Sequence, residues 1–355
     1  MGHEVQVMRN ILDLSSSEIE EYLREIGEPR FRKSQIWNWL YVRGVLDFHK
    51  MTNLPKRLRF RLCEDFKIEL PEICAVKSAK DGTIKLGLTL QDKNIIETVL
   101  IPERTHYTQC LSSQVGCALG CTFCRTGKMG FIRNLTQGEI LGQILIARAF
   151  LKEIKAKLKI RNLVFMGMGE PLLNWENVKN SLYILRDKQG FDFSYRHTTI
   201  STVGIPRPLK EFAKEDLGSI AISLHAPNQS LREQIMPRAA KIMELDELID
   251  LLKSIPLRNR QRITIEYVLI GGVNDSLEHA RELNKILSHI KCKINLIRFN
   301  PGPDIGYVPP DEEKVIAFED YLRSKGQIVT LRKSKGQDIC AACGQLRAEV
   351  SNYET

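Results

Sequence analysis

The chain has 355 residues, 43% of them hydrophobic, so it can bury a large core and hold one large domain together with a smaller one. It carries 52 Lys and Arg residues against 43 Asp and Glu residues, and the formal net charge of +9 favours a polyanionic partner such as a nucleic acid. No apolar run reaches the length of a membrane span and the first residues lack a signal-peptide core, which argues against a membrane partner and leads us to expect a cytoplasmic protein.

Residues 1–66 are predicted to form a small helical domain that serves as an accessory RNA-binding module. Three serines at 15–17 precede an acidic helix start, and Gly27 is expected to end that helix. Two further helices follow, and seven basic residues bunch in this domain: Arg30, Arg32, Lys33, Lys56, Arg57, Arg59 and Arg61. These charges either form ordinary solvated helix faces or contact RNA phosphates. Trp37 and Trp39 could stack on bases, although at least one of them should belong to the core.

Residues 67–107 alternate apolar and polar positions between short turn sequences, which predicts a β-hairpin extension that links the helical part to the main domain. Its last strand, IIETVLIP, places Glu97 between Ile96 and Thr98. A carboxylate in such surroundings either pairs with a basic neighbour or has a perturbed pKa, as a general base does. The plainer alternative is a glutamate on the outward face of the strand.

Residues 108–333 alternate strand and helix patterns, which predicts a parallel sheet of the α/β class. Six strands are expected, at 108–115, 163–167, 198–202, 219–225, 262–270 and 294–299. Six units are too few for a closed eight-stranded barrel, so we expect a partial (β/α)6 barrel. Active sites of such barrels lie at the carboxyl ends of their strands.

Polar or glycine residues stand where several of these strands end. They are Gly167, Gly169 and Glu170 after the second strand, Ser201 at the third, Ser223 and His225 at the fourth, and Asn300 at the sixth. Each has a plain explanation alone, such as a strand-end hydroxyl or a turn former, but together they predict a ring around one ligand. The glycines would let the backbone approach that ligand closely, and Glu170 could bind an ammonium group.

The stretch from Cys110 to Leu135 carries the most specific motif in the chain, a C-x3-C-x2-C spacing at Cys117, Cys121 and Cys124. Glycines around these cysteines predict a loop. Three thiolates at this spacing can bind three corners of a [4Fe–4S] cluster and leave one iron open for a small molecule, which is typical of a catalytic cluster. A structural zinc site is the alternative, but it needs four ligands, and no fourth Cys or His follows at a short distance.

This spacing resembles the radical S-adenosylmethionine superfamily, and the aromatic Phe123 before the third cysteine fits it. The flanking sequences CLSSQVGC and GFIRNL, with GMGEPLLN at 167–174 and DICAACGQL at 338–346, resemble the family of ribosomal RNA adenine C2-methyltransferases. The resemblance extends over nearly the whole chain. It implies that the open iron holds S-adenosylmethionine, and that this cofactor contacts Gly169, Glu170, Ser201, Ser223, Leu224, His225 and Asn300.

The resemblance also implies three catalytic residues. Cys343 matches the residue that the family methylates and uses as a covalent methyl carrier, and Cys110 matches the cysteine that later forms a transient disulfide with it. Glu97 matches the family's proton acceptor, although either Glu97 or Cys110 could remove the C2 proton. The implied reaction uses two S-adenosylmethionine molecules, one to methylate Cys343 and one to supply the radical that activates its methyl group. Radical chemistry suits this position, because adenine C2 is neither acidic nor nucleophilic.

The segment 334–355, which carries Cys343, is expected to be a mobile loop because glycines and serines interrupt it. Three basic residues, Arg332, Lys333 and Lys335, lie at its start. Basic side chains contact phosphates readily, so this stretch would suit an RNA backbone near the carrier cysteine.

The cysteine assignments have plainer explanations as well. Free cysteines are usually small buried hydrophobes, and this explanation applies to Cys110 and Cys343 too. Cys340 departs from the family pattern, and its C-x2-C spacing with Cys343 could give a competing disulfide or a stray metal site. Cys340 could equally be harmless if it faces away from the site.

We therefore expect an enzyme that methylates C2 of a specific adenine in 23S rRNA, and the resemblance implies that some members also modify an adenine in the tRNA anticodon loop. A competing hypothesis is methylation at C8 of the same adenine, which confers antibiotic resistance, although GEPLLN is closer to the C2 group. Two further hypotheses are a non-catalytic iron–sulfur RNA-binding protein and a radical activase that acts on protein. The expected partners are 23S rRNA, tRNA and an electron-donating flavodoxin or ferredoxin system, and we expect a monomer.

Overall fold

A computed structural model of the chain describes residues 8–347. Its N-terminal part is helical, as the sequence predicts, and two very short parallel strands join the two ends of that part. The elements are β1 (Arg9–Asn10), α1 (Ser16–Glu25), α2 (Arg32–Trp37) with a π-helical continuation (Asn38–Val42), α3 (Lys56–Asp65) and β2 (Phe66–Lys67). The Ser15 hydroxyl caps α1 by accepting from the Glu18 amide at 3.2 Å, and Gly27 follows the helix with a φ of 72°.

The prediction that Trp37 and Trp39 could stack on RNA bases is wrong. Trp37 is fully buried and Trp39 is 8% exposed, because both pack into the core of the helical part. The basic residues are also less available than their number suggests, since carboxylates pair with several of them: Arg30 with Glu20, Arg32 with Glu28, Lys33 with Glu20 and Asp187, and Arg61 with Asp65. Lys56 and Arg57 remain exposed on α3.

The hairpin extension is an antiparallel meander, as the sequence predicts. Its strands are β3 (Glu72–Ser78), β4 (Ile84–Thr89) and β5 (Ile95–Pro102), and β6 (Tyr107–Cys110) follows. β5 pairs with β6, so the extension continues into the main sheet. Nearly every residue of β4 and β5 is buried, which indicates that both faces of these strands are covered.

The remaining elements build the barrel. They are β7 (Gln114–Gly116), α4 (Arg125–Lys128), β8 (Phe131–Asn134), α5 (Gln137–Glu153), β9 (Ile160–Phe165), α6 (Trp175–Arg186), β10 (Thr198–Thr202), α7 (Pro206–Glu215), β11 (Ser219–Ser223), α8 (Gln229–Ile235), α9 (Pro237–Ile242), α10 (Leu245–Ser254), β12 (Ile263–Leu269), α11 (Leu277–Leu287), β13 (Cys292–Arg298), α12 (Glu312–Ser324) and β14 (Val329–Arg332). Within residues 8–347, no helix is both long enough and apolar enough to cross a bilayer.

The main sheet has ten strands in the order β14-β13-β12-β11-β10-β9-β6-β5-β4-β3. Neighbouring strands from β6 to β14 in this order are parallel, and helices connect most of them. The predicted partial α/β barrel is therefore confirmed. Its antiparallel edge is the hairpin extension.

Two strand predictions need correction. The expected strand at 108–115 splits into β6 and β7, because β7 leaves the main sheet and pairs with β8. A seventh parallel strand, β14, extends the barrel beyond the six that were expected. It has only four residues, too few for alternation to mark it in the sequence. In addition, β11 ends at Ser223, which leaves Leu224 and His225 in the following loop.

Helix α5 joins the helical part to the barrel, since residues on nearly every side of it are buried. The Gln137 side chain donates to the carbonyl oxygens of Leu12 and Leu14 at 2.7 and 2.9 Å. The Arg148 guanidinium donates to the Tyr41 carbonyl at 3.0 Å. Buried backbone carbonyls thus obtain partners from α5, which holds the helical part against the barrel.

Candidate active site

A cavity lies at the carboxyl ends of the parallel strands, where barrel enzymes place their active sites. Its lining includes the motif cysteines together with residues from neighbouring strands: Cys117, Cys121, Cys124, Gly167, Gly169, Glu170, Ser201, Ser223, His225 and Glu266. We refer to it as the first cavity. The structure thus brings together the cysteine motif and most of the strand-end residues that the sequence singles out.

A tight loop presents the cysteines to this cavity. Gly116 stands at the start of this loop, and a larger residue does not fit there because an added Cβ would lie 1.9 Å from the Gly130 carbonyl oxygen. The Cys124 amide donates to the Cys121 carbonyl at 3.1 Å, which closes a turn between these two ligands. Burial raises the pKa of the Cys117 thiol to about 12. The thiol form is therefore favoured until cations compensate the thiolate charge.

The three motif cysteines are arranged so that they can hold an iron–sulfur cluster. Within residues 8–347, no three Cys, His, Asp or Glu side chains converge closely enough to bind one ion. A [4Fe–4S] cluster distributes its thiolate ligands over separate iron atoms. Cys117, Cys121 and Cys124 line one cavity, and they are the residues that would hold the cluster.

The glycines of the GMGE sequence approach the protein chain itself. Gly169 has a φ of 98°, and a Cβ there would lie 2.5 Å from the Cβ of Gln114. A Cβ on Gly167 would lie 2.7 Å from the Leu111 carbonyl oxygen. Glycine is therefore required at both positions by close packing against the segment that leads into the cysteine loop. This is in addition to the expected close approach of the backbone to a ligand.

Glu170 is buried at the wall of the first cavity, and backbone amides contact both of its carboxylate oxygens. Oε1 accepts from the Leu172 amide and Oε2 from the Val203 amide, each at 3.0 Å. Burial nevertheless raises the pKa of Glu170 to about 7, because these hydrogen bonds and one from Thr202 offset only part of the desolvation. The carboxyl group thus ties the GMGE loop to the end of β10.

Ser201 and Ser223 lie on neighbouring strands and line the first cavity, with their hydroxyl oxygens 3.2 Å apart. Leu224, which follows, is fully buried in the hydrophobic core. Its amide donates to the Glu266 carbonyl at 3.1 Å. A contact of Leu224 with a cofactor would therefore have to involve its backbone.

His225 lines the same cavity in a left-handed backbone conformation, with a φ of 55°. Its Nδ1 accepts a hydrogen bond from the Val268 amide at 3.1 Å, so the ring is neutral with its proton on Nε2. Burial lowers the pKa of His225 to about 3, and the Arg232 charge acts in the same direction. The ring packs edge-on against Phe123 of the cysteine loop, with centroids 5.1 Å apart.

A second cavity adjoins the first, and Cys343 borders both. Cys110 lines this second cavity together with the three basic residues that the sequence suggests for RNA contact, Arg332, Lys333 and Lys335. The two cysteines implied to act as carrier and disulfide partner therefore meet in one concave, basic site.

The two thiols share one electrostatic environment. Cys343 is exposed, so the explanation as a buried small hydrophobe is wrong for this residue, whereas Cys110 is buried. Burial raises the pKa of Cys110, and negative charge on Cys343 raises it further. The surrounding protein also desolvates Cys343 and raises its pKa. The positive charge of the Arg332 guanidinium acts in the opposite direction and offsets part of this increase in the pKa of both thiols.

Asn300 lines the second cavity and holds the segment that carries Cys343. Its Nδ2 donates to the Cys343 carbonyl at 3.3 Å, and its Oδ1 accepts from Gln337 Nε2 at 2.7 Å. The rule that active sites lie at the carboxyl ends of the strands thus predicts the correct edge of the sheet for Asn300. The structure, however, places Asn300 in the lining of the second cavity and not of the first.

Glu97 is fully buried, so the plainer alternative of a glutamate on the outward face of the strand is wrong. Lys85 Nζ lies 2.8 Å from its Oε1, and the Arg347 amide donates to its Oε2 at 2.9 Å. Of the two possibilities that the sequence leaves open, the structure shows the carboxylate paired with a basic neighbour. Among residues 8–347, Glu97 lies outside the linings of both cavities.

The described part of the carrier segment, residues 334–347, packs on the cysteine loop. Three hydrogen bonds join them: the Arg125 amide to the Gly344 carbonyl (2.8 Å), the Arg125 guanidinium to the Gln345 carbonyl (3.2 Å) and the Thr126 hydroxyl to the Leu346 carbonyl (2.6 Å). Cys340 and Cys343 are both free thiols. Residues 348–355, the rest of the loop that we expect to be mobile, lie outside the described residues.

Glu266 is a site residue that the sequence reasoning missed. It lies within β12, is 4% exposed and lines the first cavity. Asn295 Nδ2 donates to its Oε1 at 3.3 Å, and Arg332 Nη1 lies 3.7 Å from the same oxygen. Burial raises its pKa. The available signal is a single acidic residue in the apolar run ITIEYVLI, the same kind of signal that marks Glu97.

Comparison with known proteins places the chain in a family. The model of the radical SAM superfamily matches residues 111–283, and the model of the ribosomal RNA large subunit methyltransferase N-terminal domain matches residues 9–68. The dual-specificity RNA methyltransferase RlmN of Solidesulfovibrio magneticus is 53% identical over 342 residues, which cover 96% of this chain and 97% of the relative. The protein of the same name from Desulfotalea psychrophila is 43% identical and covers 100% of both chains.

A solved structure agrees with these relatives. The crystal structure of a radical SAM methyltransferase from Sphaerobacter thermophilus matches with a TM-score of 0.89 and 40% identity, and the match covers 96% of this chain and 100% of that one. The similarity to these proteins thus extends over nearly the whole chain, including the cysteine loop, the partial barrel and the carrier segment. The chain belongs to the radical SAM family of dual-specificity RNA methyltransferases.

Proposed function

We propose that this enzyme methylates C2 of a specific adenine in 23S rRNA, and that it also accepts an adenine of tRNA, as the dual specificity in the names of its relatives suggests. The observation that carries the proposal is the position of Cys343, which borders both cavities. A group in this position can receive a methyl group on one side and deliver it to a substrate on the other.

The first cavity would hold the cluster and S-adenosylmethionine. When bound to Cys117, Cys121 and Cys124, the cluster supplies the electron for reductive cleavage of S-adenosylmethionine. The residues proposed to contact S-adenosylmethionine there are Gly169, Glu170, Ser201, Ser223, Leu224 through its backbone and His225. Asn300 is proposed as a further contact from the adjoining second cavity, which it lines.

The second cavity would hold the RNA. Lys333 and Lys335 supply positive charge for phosphates at its lining, and phosphate contacts would fix the position of the RNA without reading its bases. C2 of a paired adenine is enclosed within the helix, so the reactive adenine would have to be unpaired or flipped out to reach Cys343.

Cys343 and Cys110 would divide the chemistry on the RNA. The Cys343 sulfur would accept the methyl group from one S-adenosylmethionine. The methyl carbon would then lose one hydrogen atom to the radical made from the second S-adenosylmethionine and bond to C2, which joins protein to RNA, and the adduct would give up one electron when its C2 proton is removed. The Cys110 thiolate then attacks the Cys343 sulfur, so that an S–S bond forms while the bond between sulfur and the RNA-bound carbon breaks, and that carbon takes up a proton to complete the methyl group. The C2 proton goes to one of two acceptors, Cys110 in the second cavity or Glu97 behind the carrier segment.

We further propose that the enzyme is a cytoplasmic monomer that receives electrons from a flavodoxin or ferredoxin system. Free thiols persist in the reducing cytoplasm, and all nine cysteines are free.

The test is an anaerobic assay with the reconstituted enzyme, a reductant, S-adenosylmethionine with a labelled methyl group and unmodified 23S rRNA. We expect 2-methyladenosine in the digested RNA by mass spectrometry, and none with Cys343→Ala. The matched control is Cys74→Ala, an exposed cysteine on β3, which should retain product formation. Detection of 8-methyladenosine, or of 5′-deoxyadenosine without any methylated adenine, would contradict the proposal.

A further inference from the structure

We propose that Lys85 is a positioning residue for the methyl carrier. Together with Glu97 it forms a buried ionic pair, here called the carrier clamp, that holds the backbone on both sides of Cys343. The inference rests on the proposed function, because it concerns the thiol that carries the methyl group.

The clamp lies inside the sheet. Lys85 is on β4 and Glu97 is on β5, the antiparallel neighbour, and the two side chains pair diagonally because Lys85 stands opposite Val99. Their residues are 5% and 0% exposed, and Lys85 Nζ lies 2.8 Å from Glu97 Oε1. A charged pair removed from water needs further hydrogen bonds to offset the loss of hydration.

The carrier segment supplies hydrogen bonds to both members of the clamp. Lys85 Nζ donates to the Cys340 carbonyl at 3.1 Å. On the other side of the carrier thiol, the Arg347 amide donates to Glu97 Oε2 at 2.9 Å. Cys343 lies between these two attachment points in the sequence, so the clamp restrains the loop before and after the reactive sulfur.

This arrangement makes docking of the loop and satisfaction of the buried charges depend on each other. If the segment moved away, the Lys85 ammonium and the Glu97 carboxylate would each lose a hydrogen-bond partner in a low-dielectric site. One loop position is therefore favoured over others. Cys343 requires such a fixed position, since it must reach both cavities.

The clamp assigns Lys85 a role without giving it any contact with the reacting atoms. Neither Lys85 nor Glu97 lies in the lining of either cavity as described for residues 8–347. In the positioning role proposed here, both act through the carrier segment. Glu97 has this positioning role whichever group takes the C2 proton.

The main experiment uses the reconstituted full-length enzyme with Lys85→Met, which keeps an apolar stem and removes the ammonium. Without RNA present, we expect the amides of residues 340–347 to exchange hydrogen at least tenfold faster, while the absorbance of the cluster stays unchanged. With 23S rRNA, we expect kcat for methylation to fall at least tenfold with little change in the KM for RNA. More 5′-deoxyadenosine should form per methyl group transferred, because the carrier is misplaced.

Two further variants separate positioning from a general loss of structure. Lys85→Arg should restore slow exchange and most of the kcat, because a guanidinium can donate to both the carboxylate and the carbonyl. The control is Lys157→Met, which removes the ammonium of an exposed lysine in the loop before β9, and it should behave as the wild type.

A double variant covers the case in which an unpaired Glu97 prevents folding. Lys85→Met with Glu97→Gln leaves no buried charge at the clamp, and we still expect fast exchange at 340–347. Wild-type exchange in this segment for both the single and the double variant would overturn the inference. A wild-type enzyme that makes no methylated adenine would instead contradict the proposed function, because the exchange measurement is made without RNA.

Discussion

His225 combines three features at one residue: a left-handed backbone, a buried ring and a neutral imidazole. Its Nδ1 is occupied by the Val268 amide, so protonation there would break a hydrogen bond as well as place a charge in the core. The ring also supports Phe123 in the cysteine loop. Its protonation state therefore affects the geometry of the first cavity.

We predict that acid destabilises the cluster-free protein partly through His225. Its pKa falls from an ordinary 6.5 to about 3 on folding, so as the pH falls the unfolded chain takes up this proton first. The stability contributed above pH 6.5 is lost progressively as the pH falls towards 3. The expected loss from this group is about 2 kcal/mol between pH 7 and pH 5. Urea unfolding at several pH values measures it.

The control for this prediction is a change that removes the titrating ring. His225→Asn suits the left-handed backbone and should flatten the pH dependence by that amount. His289→Asn changes an exposed histidine on the surface and should leave the dependence as it is. Equal pH profiles for the wild type and His225→Asn would count against the prediction.

At the scale of single residues, the sequence indicated which side chains are candidates for the site better than it indicated their neighbours and their burial in the folded chain. The cysteine motif, Glu170 and Ser201 could be found because their spacing and strand-end positions are local properties. The partners of Glu97 could not, since Lys85 and Arg347 reach it only through sheet pairing and loop docking. Burial of the Leu224 side chain is likewise a property of the folded chain.

The close packing of two elements around Gly169 allows a prediction at the scale of the element. The GMGE loop lies against the segment that precedes the cysteine loop, and a Cβ on Gly169 would come 2.5 Å from Gln114. Gly169→Ala should therefore lower the free energy of unfolding by about 2–4 kcal/mol, from the positive φ and from overpacking together. Urea unfolding of the cluster-free protein gives this number.

Gly272→Ala is the matched control, because Gly272 also has a positive φ, 71°, but nothing lies within 4 Å of an added Cβ. The free energy of unfolding of this variant should fall only by the cost of placing alanine at a positive φ, about 1–2 kcal/mol. If the two variants were equally stable, packing against Gln114 would not explain the glycine.

Elements with clear periodicity were predicted well and short ones were not. The hairpin extension and the strands at the centre of the sheet have alternating or continuous apolar patterns, and their boundaries agree with the sequence to within a few residues. β14 is only four residues long, and the end of β6 is set by the change of partner at β7. Pairing between distant segments decides both, and a local pattern does not contain that information.

At the scale of the whole molecule, the net charge of +9 matters less than where the charge lies. Carboxylates pair with several basic residues of the helical part, whereas Lys333 and Lys335 line the second cavity.

We predict that Lys333→Gln with Lys335→Gln weakens RNA binding and lowers the slope of log Kd against log salt by roughly 0.7–1 per lysine. Binding of a 23S rRNA fragment at several salt concentrations measures both.

Lys188→Gln provides the comparison for this prediction. Lys188 is exposed and follows α6, so it lies at the amino ends of the strands, on the opposite side of the barrel from both cavities. Loss of this one charge should leave the salt slope unchanged, whereas each lysine lost at the second cavity should lower it by roughly 0.7–1. An equal effect at this position would indicate a general charge effect and not an RNA contact at the second cavity.

The carrier segment has its anchors spread over the chain, at Lys85 and Glu97, at Arg125, and at Asn300. All of them precede Cys343, so during synthesis on the ribosome the cysteine loop and most of both cavities emerge before the methyl acceptor exists. A chain released early by a stop codon upstream of Cys343 would retain the three cluster ligands and lack the thiol that couples radical formation to RNA. The order of translation thus makes the acceptor the last part of the site to be completed.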